Sequence, residues 1–240
     1  MVMAADSTAN APLYEMRVYY SPAGKLDNLH KRFREHTLGL FEKHGVRNVG
    51  YFVPQGENPE NKLVYFVSYP SREAREKSWK AFMSDPEWQR AYKDSEKDGS
   101  ILFGNKIESV FLKPTDYSPA LKVQAKGGRV FELRTYTTPE GKLPNLNARF
   151  RNHTLELFKK HGMDNLIYWT KTEGQEGADT TLIYLLAHTS TEARDRSFGA
   201  FRQDAAWVAA KGESEKNGSL TAPNGVKSEI LVPTDYSPLK

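Results

Sequence analysis

The chain has 240 residues, a formal net charge of +4 and 38% hydrophobic residues, with 12 Tyr, 12 Phe, 4 Trp and no Cys. That length fits one large domain or two of ordinary size, and the apolar and aromatic content excludes global disorder. Without cysteine there are no disulfide scaffolds, thiolate metal sites or cysteine nucleophiles; 34 basic against 30 acidic residues, with no basic arm, argue against nucleic-acid binding; and no apolar run approaches the roughly 18 residues of a membrane span.

Residues 1–13 are small and polar, a disordered or tail segment with neither the basic nor the apolar region of a signal peptide. Two readings stay open for a soluble chain: a frayed cytoplasmic terminus, or a secreted or periplasmic start left by signal removal. Tyr14 to Tyr20 alternates apolar and polar residues, which predicts a half-buried strand. A helical pattern follows Pro22 and Gly24, with Leu26, Leu29, Phe33, His36 and Leu40 on one stripe, and Gly45 stands where a left-handed C-cap belongs. Val49–Val53 and Leu63–Tyr69 read as strands. Ser71 caps a helix through Phe82, Asp85-Pro86 opens another carrying Trp88 and Tyr92, and Asn105–Leu112 is the last strand.

The pattern then repeats. Tyr14-Glu15-Met16-Arg17-Val18-Tyr19 returns as Phe131-Glu132-Leu133-Arg134-Thr135-Tyr136, and 22 of the 40 positions in 14–53 are identical in 131–170. After a two-residue insertion, Pro114-Thr115-Asp116-Tyr117-Ser118-Pro119 returns as Pro233 to Pro238. The chain is a tandem duplication, with copies at 14–119 and 129–238 joined by a polar linker at 120–128. Each copy reads β-α-β-β-α-β, the ferredoxin-like split arrangement. The fold class is therefore α+β. A sheet with helices on one face leaves the other apolar face bare, so the two units are expected to pair as a pseudo-twofold dimeric α/β barrel. Such a chain would be a monomeric pseudo-dimer or would assemble into a homo-oligomer through helices or loops.

Glu15-x-Arg17-x-Tyr19, Pro22-x-Gly24-Lys25-Leu26, His36, His44-Gly45, Asp85-Pro86-x-Trp88 and the closing Pro-Thr-Asp-Tyr-Ser-Pro resemble the NIPSNAP family. The second copy departs at Asp204-Ala205-Ala206-Trp207, which lacks the proline and glutamate and leaves that helix start in question. The resemblance implies the dimeric α/β-barrel superfamily, which includes cofactor-free oxygenases and haem enzymes, but a fold does not carry function. A phosphatase reading finds no support: there is no cysteine, and Gly24-Lys25 and Gly141-Lys142 lack the pattern of a phosphate loop.

Three groups of residues are candidates for chemistry. His36 and His153 fall on the apolar stripe and are expected to face the sheet, where a buried imidazole needs a partner. They read as core histidines, as pocket histidines anchoring a ligand or transferring protons, or as axial haem ligands; no other cofactor and no metal site is indicated. His44 lies about 12 Å along the helix from His36, too far to share an ion, and reads as a last-turn residue. Arg17 and Tyr19, with Glu15, share one strand face, as do Arg134 and Tyr136 with Glu132. These are expected to point away from the helices, as an ion-pair network or as a site for an anion. Tyr51, Tyr65, Tyr168 and Tyr184 match across the copies and complete the candidate lining. The favoured reading is a binding protein for a small aromatic or anionic ligand held between helix and sheet. A cofactor-independent oxygenase or isomerase using a His/Tyr acid–base pair, and an interaction module without chemistry, stay open.

Overall fold

The computed structural model describes residues 11–240; most of the predicted N-terminal tail lies outside them. The first strand, β1, is Leu13–Tyr20. It is followed by α1 (Leu26–Arg32), a π-turn (Phe33–Thr37) and α2 (Leu38–Lys43), which form one rod. Then come β2 (Arg47–Pro54), β3 (Lys62–Tyr69), α3 (Arg72–Ser84), α4 (Pro86–Glu96) and β4 (Glu108–Pro114). The last strand starts later than its composition suggests, because Gly104–Lys106 forms a short 3-10 turn. The second copy repeats the series: β5 (Val130–Thr137), α5 (Leu143–Arg149), a π-turn (Phe150–Thr154), α6 (Leu155–Lys160), β6 (Asp164–Lys171), β7 (Thr181–His188), α7 (Thr191–Gln203), α8 (Ala205–Ser214) and β8 (Val226–Pro233).

Within each unit the strands are antiparallel, in the orders β4-β1-β3-β2 and β8-β5-β7-β6. A compact unit is not coextensive with a sequence copy. The chain through Lys113 packs with Val123–Ala125 and Pro233–Lys240, whereas Pro114–Lys122 packs with Lys126–Val232. Each unit thus holds the closing Pro-Thr-Asp-Tyr-Ser-Pro of the other copy. No helix among the described residues is long and apolar enough to cross a membrane.

Local chemistry explains the boundaries. Ser71 and Ser190 accept from the backbone N–H of Ala74 and Ala193, and Asp85 accepts from that of Glu87. Asp204 accepts from the N–H of Ala206, so the second-copy helix starts on its cap alone, without the lost proline. Gly45 and Gly162 both have φ of +77°, the left-handed conformation that ends α2 and α6.

The π-turns change the reading of the first helical rod. The N–H of Leu38 donates to the carbonyl of Phe33, five residues back, and the Thr37 hydroxyl donates to the carbonyl of Arg32 at 3.1 Å. Phe150, Leu155, Arg149 and Thr154 repeat both bonds. One extra residue in the turn rotates the rest of the rod by about 100°. The buried series is consequently Leu29, Phe33, Thr37, Leu40 and Phe41, with Thr37 in the place predicted for His36.

Replacing Gly45 or Gly162 with Ala forces a Cβ into left-handed geometry and should lower stability by about 1 to 2 kcal/mol each. Urea denaturation of the single variants and the pair checks this, with near-additive losses expected.

Candidate functional site

Glu15, Arg17 and Tyr19 lie beneath the helices, the reverse of the expected face. Tyr19, Tyr65, Val67 and Tyr69 pack with Leu29, Phe33 and Phe82, and Arg75 on α3 reaches Glu15 with Nε at 3.0 Å and Nη2 at 3.1 Å. Val18 and its partner Val64 are on the other face and are also buried. Alternation tells which residues share a face; where both faces are buried it does not tell which face meets the helices. The guanidinium of Arg75 decides it, because Glu15 must turn toward its cation.

Glu15 is fully buried and accepts from Arg17 at 2.5 Å, from Ser109 at 2.7 Å and from Tyr69 at 3.1 Å as well as from Arg75. Burial alone would raise its pKa, but the hydrogen bond from Arg75 and the charge of Arg17 hold it below the ordinary value. Glu132 has the same surroundings: Arg134 at 2.5 Å, Arg194 at 2.6 Å, Ser228 at 2.5 Å and Nε2 of His188 at 3.1 Å, in the place of Tyr69. Against the cost of burial, His188, Arg194 and Arg134 push its carboxyl far below the usual range. The ion pairs expected of these residues are present, but each lies within its own unit and beneath the helices, not on the face turned away from them.

The tyrosines form paired stacks. The rings of Tyr51 and Tyr65 lie 5.2 Å apart at 14°, and those of Tyr168 and Tyr184 lie 4.9 Å apart at 17°. The Tyr51 and Tyr168 hydroxyls donate to Asn48 and Asn165, both at strand bulges. Tyr136 accepts from Arg134 Nη2 at 2.9 Å and Tyr184 from Arg134 Nε at 2.8 Å. In the first unit Arg17 reaches Tyr19 at 3.2 Å, while Arg17 Nε and the Tyr65 hydroxyl have no partner.

The histidines stand elsewhere. His36 is half-buried in a surface groove with Arg32, Ala91 and Ser95, and His153 is exposed in the equivalent groove with Arg149, Ala210 and Ser214. Neither has a hydrogen-bond partner among the described residues, and Tyr51, Tyr65, Tyr168 and Tyr184 are sealed in the cores. The π-turn is the reason: it rotates each histidine off the sheet-facing stripe. His44 and His161 behave as last-turn residues, with Nε2 at 2.7 Å from Asp85 and Asp204. The histidine that does meet a tyrosine is His30, with Nδ1 2.8 Å from Tyr236 Oη beside the paired bonds of Arg34 to Asp235. Asn147, Tyr117, Arg151 and Asp116 repeat that contact without a histidine.

A cavity of about 620 Å³ opens in the second unit between α5 with its π-turn, α7 and α8. Arg134 and Tyr136 form part of its wall, with Phe150, Thr154, Phe158, Phe198, Phe201 and Trp207. The Arg134 guanidinium lies 4.8 Å from the Phe198 ring centre. Arg149, Arg202, Lys211 and Glu215 also line it, and Arg149 donates to Glu215 at 2.7 Å and lies over Trp207. Sequence reasoning placed Arg134 and Tyr136 in a candidate site but missed the rest. For Phe198, Arg202 and Lys211 the available signal was the disagreement between the copies, whereas Arg149, Phe150, Thr154, Phe158, Phe201 and Trp207 are the same in both.

The NIPSNAP family model matches residues 14–119 and 131–238. No curated protein matches the chain. Among solved structures, it is similar to a putative monooxygenase from Lactobacillus acidophilus NCFM, at 10% identity over 93% of this chain and 94% of that one, with a TM-score of 0.56. It is similar to a chlorite dismutase from Candidatus Nitrospira defluvii at 10% identity over 94% and 93% of the two chains, with a TM-score of 0.52. An uncharacterized NIPSNAP domain protein from Burkholderia xenovorans is 28% identical over 45% of this chain and 99% of its own, with a TM-score of 0.38. The full-length likenesses bear on fold alone, and the fold is α+β, two βαββαβ units of the dimeric α/β-barrel type.

The low pKa of Glu132 has a consequence for acid stability. The unfolded chain takes up its proton first as pH falls, so the contribution of this carboxylate is complete above its ordinary value of 4.5 and is lost below it. Glu132→Gln leaves Arg134 and Arg194 without their buried counter-charge and should cost about 3 kcal/mol at neutral pH. The variant should also show a flatter loss of stability between about pH 5 and pH 3, measured by urea denaturation across that range.

Proposed function

We propose that this chain, which belongs to the NIPSNAP family, binds a small aromatic or anionic molecule in the cavity of its second unit. The observation that carries the reading is the cavity itself. At about 620 Å³ it has the size of a small-ligand site, and the Arg134 guanidinium meets a wall of phenylalanine rings there. Trp207, Val208 and Val226 supply apolar area that reaches the surface above the buried phenylalanines, and Arg202 supplies an uncommitted cation for an acidic group.

An oxygenase-type reading is raised by the words putative monooxygenase for one similar structure. Its acid–base pair of His36 with a strand tyrosine has little geometric support, since His36 lines a surface groove and Tyr51 and Tyr65 are fully buried. Binding is the function these residues support best.

The test uses the aromatic anion anilinonaphthalene sulfonate, titrated calorimetrically into the folded chain. One site per chain is expected. Phe198→Trp fills the cavity with the residue that the first copy carries at the matching position, Trp79, so the fold should tolerate it. Affinity should fall by about tenfold or more, the equivalent of losing roughly 1.4 kcal/mol of contact. Unchanged binding in a variant with unchanged melting would remove the cavity as the site.

A further inference from the structure

The two copies share a backbone plan, so each residue lining the second-unit cavity has a counterpart in the first. Several counterparts differ in bulk. Phe198 stands where the first copy has Trp79, whose indole lies 4.6 Å from the Arg17 guanidinium and donates to the Tyr69 hydroxyl at 2.7 Å. Gly212 stands for Lys93, and Thr221 for Leu102. Two more differ in charge. Arg202 stands for Met83, and Lys211 stands for Tyr92. Val208 and Val226 also stand for Gln89 and Ile107, and Gly212 gives up the charge of Lys93, so the second copy has less side-chain bulk here and one net positive charge more.

The charges of the lining can be balanced pair by pair. Arg134 is committed to Glu132 at 2.5 Å, and Arg149 to Glu215 at 2.7 Å. Arg202 is exposed and has no carboxylate partner among the described residues. Lys211 is exposed and stands 3.7 Å from Glu215, whose shorter contact is to Arg149. Arg202 is left at the cavity without a counter-charge, and Lys211 shares Glu215 with Arg149. A neutral ligand would leave Arg202 idle, and a cationic one would be repelled.

We infer that the second-unit cavity selects amphipathic organic anions, an aromatic or acyl body carrying a carboxylate, sulfonate or phosphate, and that Arg202 and Lys211 are its specificity-determining residues. The apolar body lies against Trp207, Val208 and Val226, the lining side chains that reach the surface, and the acidic head meets Arg202 and Lys211 at the edge. This rests on the reading of the cavity as a binding site and narrows its ligand class. Arg134 acts differently from the two edge residues. It is held in the wall by Glu132, Tyr136 and Tyr184, so its role is to shape the site and present a guanidinium face.

The experiment compares two dyes of similar aromatic body, anilinonaphthalene sulfonate and neutral phenylnaphthylamine. Both are titrated into the full chain, into Arg202→Met/Lys211→Tyr and into Phe198→Trp. The double variant carries the first-copy residues, and an unchanged melting temperature confirms its fold. The sulfonate dye should bind the double variant about tenfold more weakly, two exposed charge contacts being lost. It should also lose most of its salt dependence. The neutral dye should stay within about twofold or bind more tightly. Phe198→Trp should weaken both dyes. If the double variant leaves both dyes unchanged or weakens both equally, the anion assignment is overturned, while loss of both in Phe198→Trp would still support the cavity as a site. If Phe198→Trp leaves both unchanged as well, the binding reading itself falls.

Discussion

Glu15 and Glu132 sit at full burial, and an ionised carboxylate withdrawn from water costs several kcal/mol unless cations and donors surround it. The surrounding groups come from three directions: an arginine two residues along the same strand, an arginine on the helix above, and a serine on the neighbouring strand. This constraint orients the rest of each unit. Arg75 and Arg194 must face the sheet, which fixes the rotation of α3 and α7. Arg17 and Arg134 each lie over an aromatic ring of the respective helix, 4.6 and 4.8 Å from the ring centre. A guanidinium so fixed is part of a wall rather than a mobile surface arm, and in the second unit that wall borders a cavity.

Because this scaffold is common to both copies, their differences are informative. Trp79 and Phe198 occupy the same helical position and both lie over the strand arginine, yet only the indole reaches on to Tyr69. Where Tyr69 stands in the first unit the second has His188, which bonds directly to Glu132. The aromatic hydroxyl and the indole of one copy are thus replaced by an imidazole and a phenyl ring in the other, with the carboxylate satisfied in both. Tyr69 and His188 both bond to the buried glutamate, but only Tyr69 also accepts from the helix above it, and Nδ1 of His188 has no partner. The smaller ring of Phe198 stands at that helix position, beside Arg134.

The element order, the Ser and Asp caps, the glycine C-caps and the duplication were legible in the sequence, since each rests on local chemistry or direct repetition. Asp204 shows how much one cap carries: it starts α8 without the proline and glutamate that accompany Asp85. The face of β1 was not legible. Period-two alternation separates Glu15, Arg17 and Tyr19 from Tyr14, Met16 and Val18, but either set was compatible with the helices until Arg75 was placed in space. The site was half legible. Arg134 and Tyr136 were found through the polar strand motif, whereas Phe198, Arg202 and Lys211 lie on helices as ordinary amphipathic residues. Their meaning comes from comparison with Trp79, Met83 and Tyr92.

The π-turn was hidden for a different reason: Phe33, His36 and Leu40 fit an ordinary helical stripe as written. Its basis lies in Phe33 and Phe41. Eight residues at 100° each would leave these rings about 80° apart around a regular helix, whereas one extra residue in the turn reduces the difference to about 20°. Both rings are then buried, as are Phe150 and Phe158, whose centres lie 6.3 Å apart. Burial of a phenylalanine contributes about 1.5 to 3 kcal/mol, enough to offset one irregular turn. The same rotation carries His36 and His153 out of the core, where each would have needed a partner, and brings in Thr37 and Thr154, which bond to their own helix. In the second unit Phe150, Thr154 and Phe158 all line the cavity. The turn that removes the histidine from the interior therefore builds the buried aromatic floor beneath the cavity.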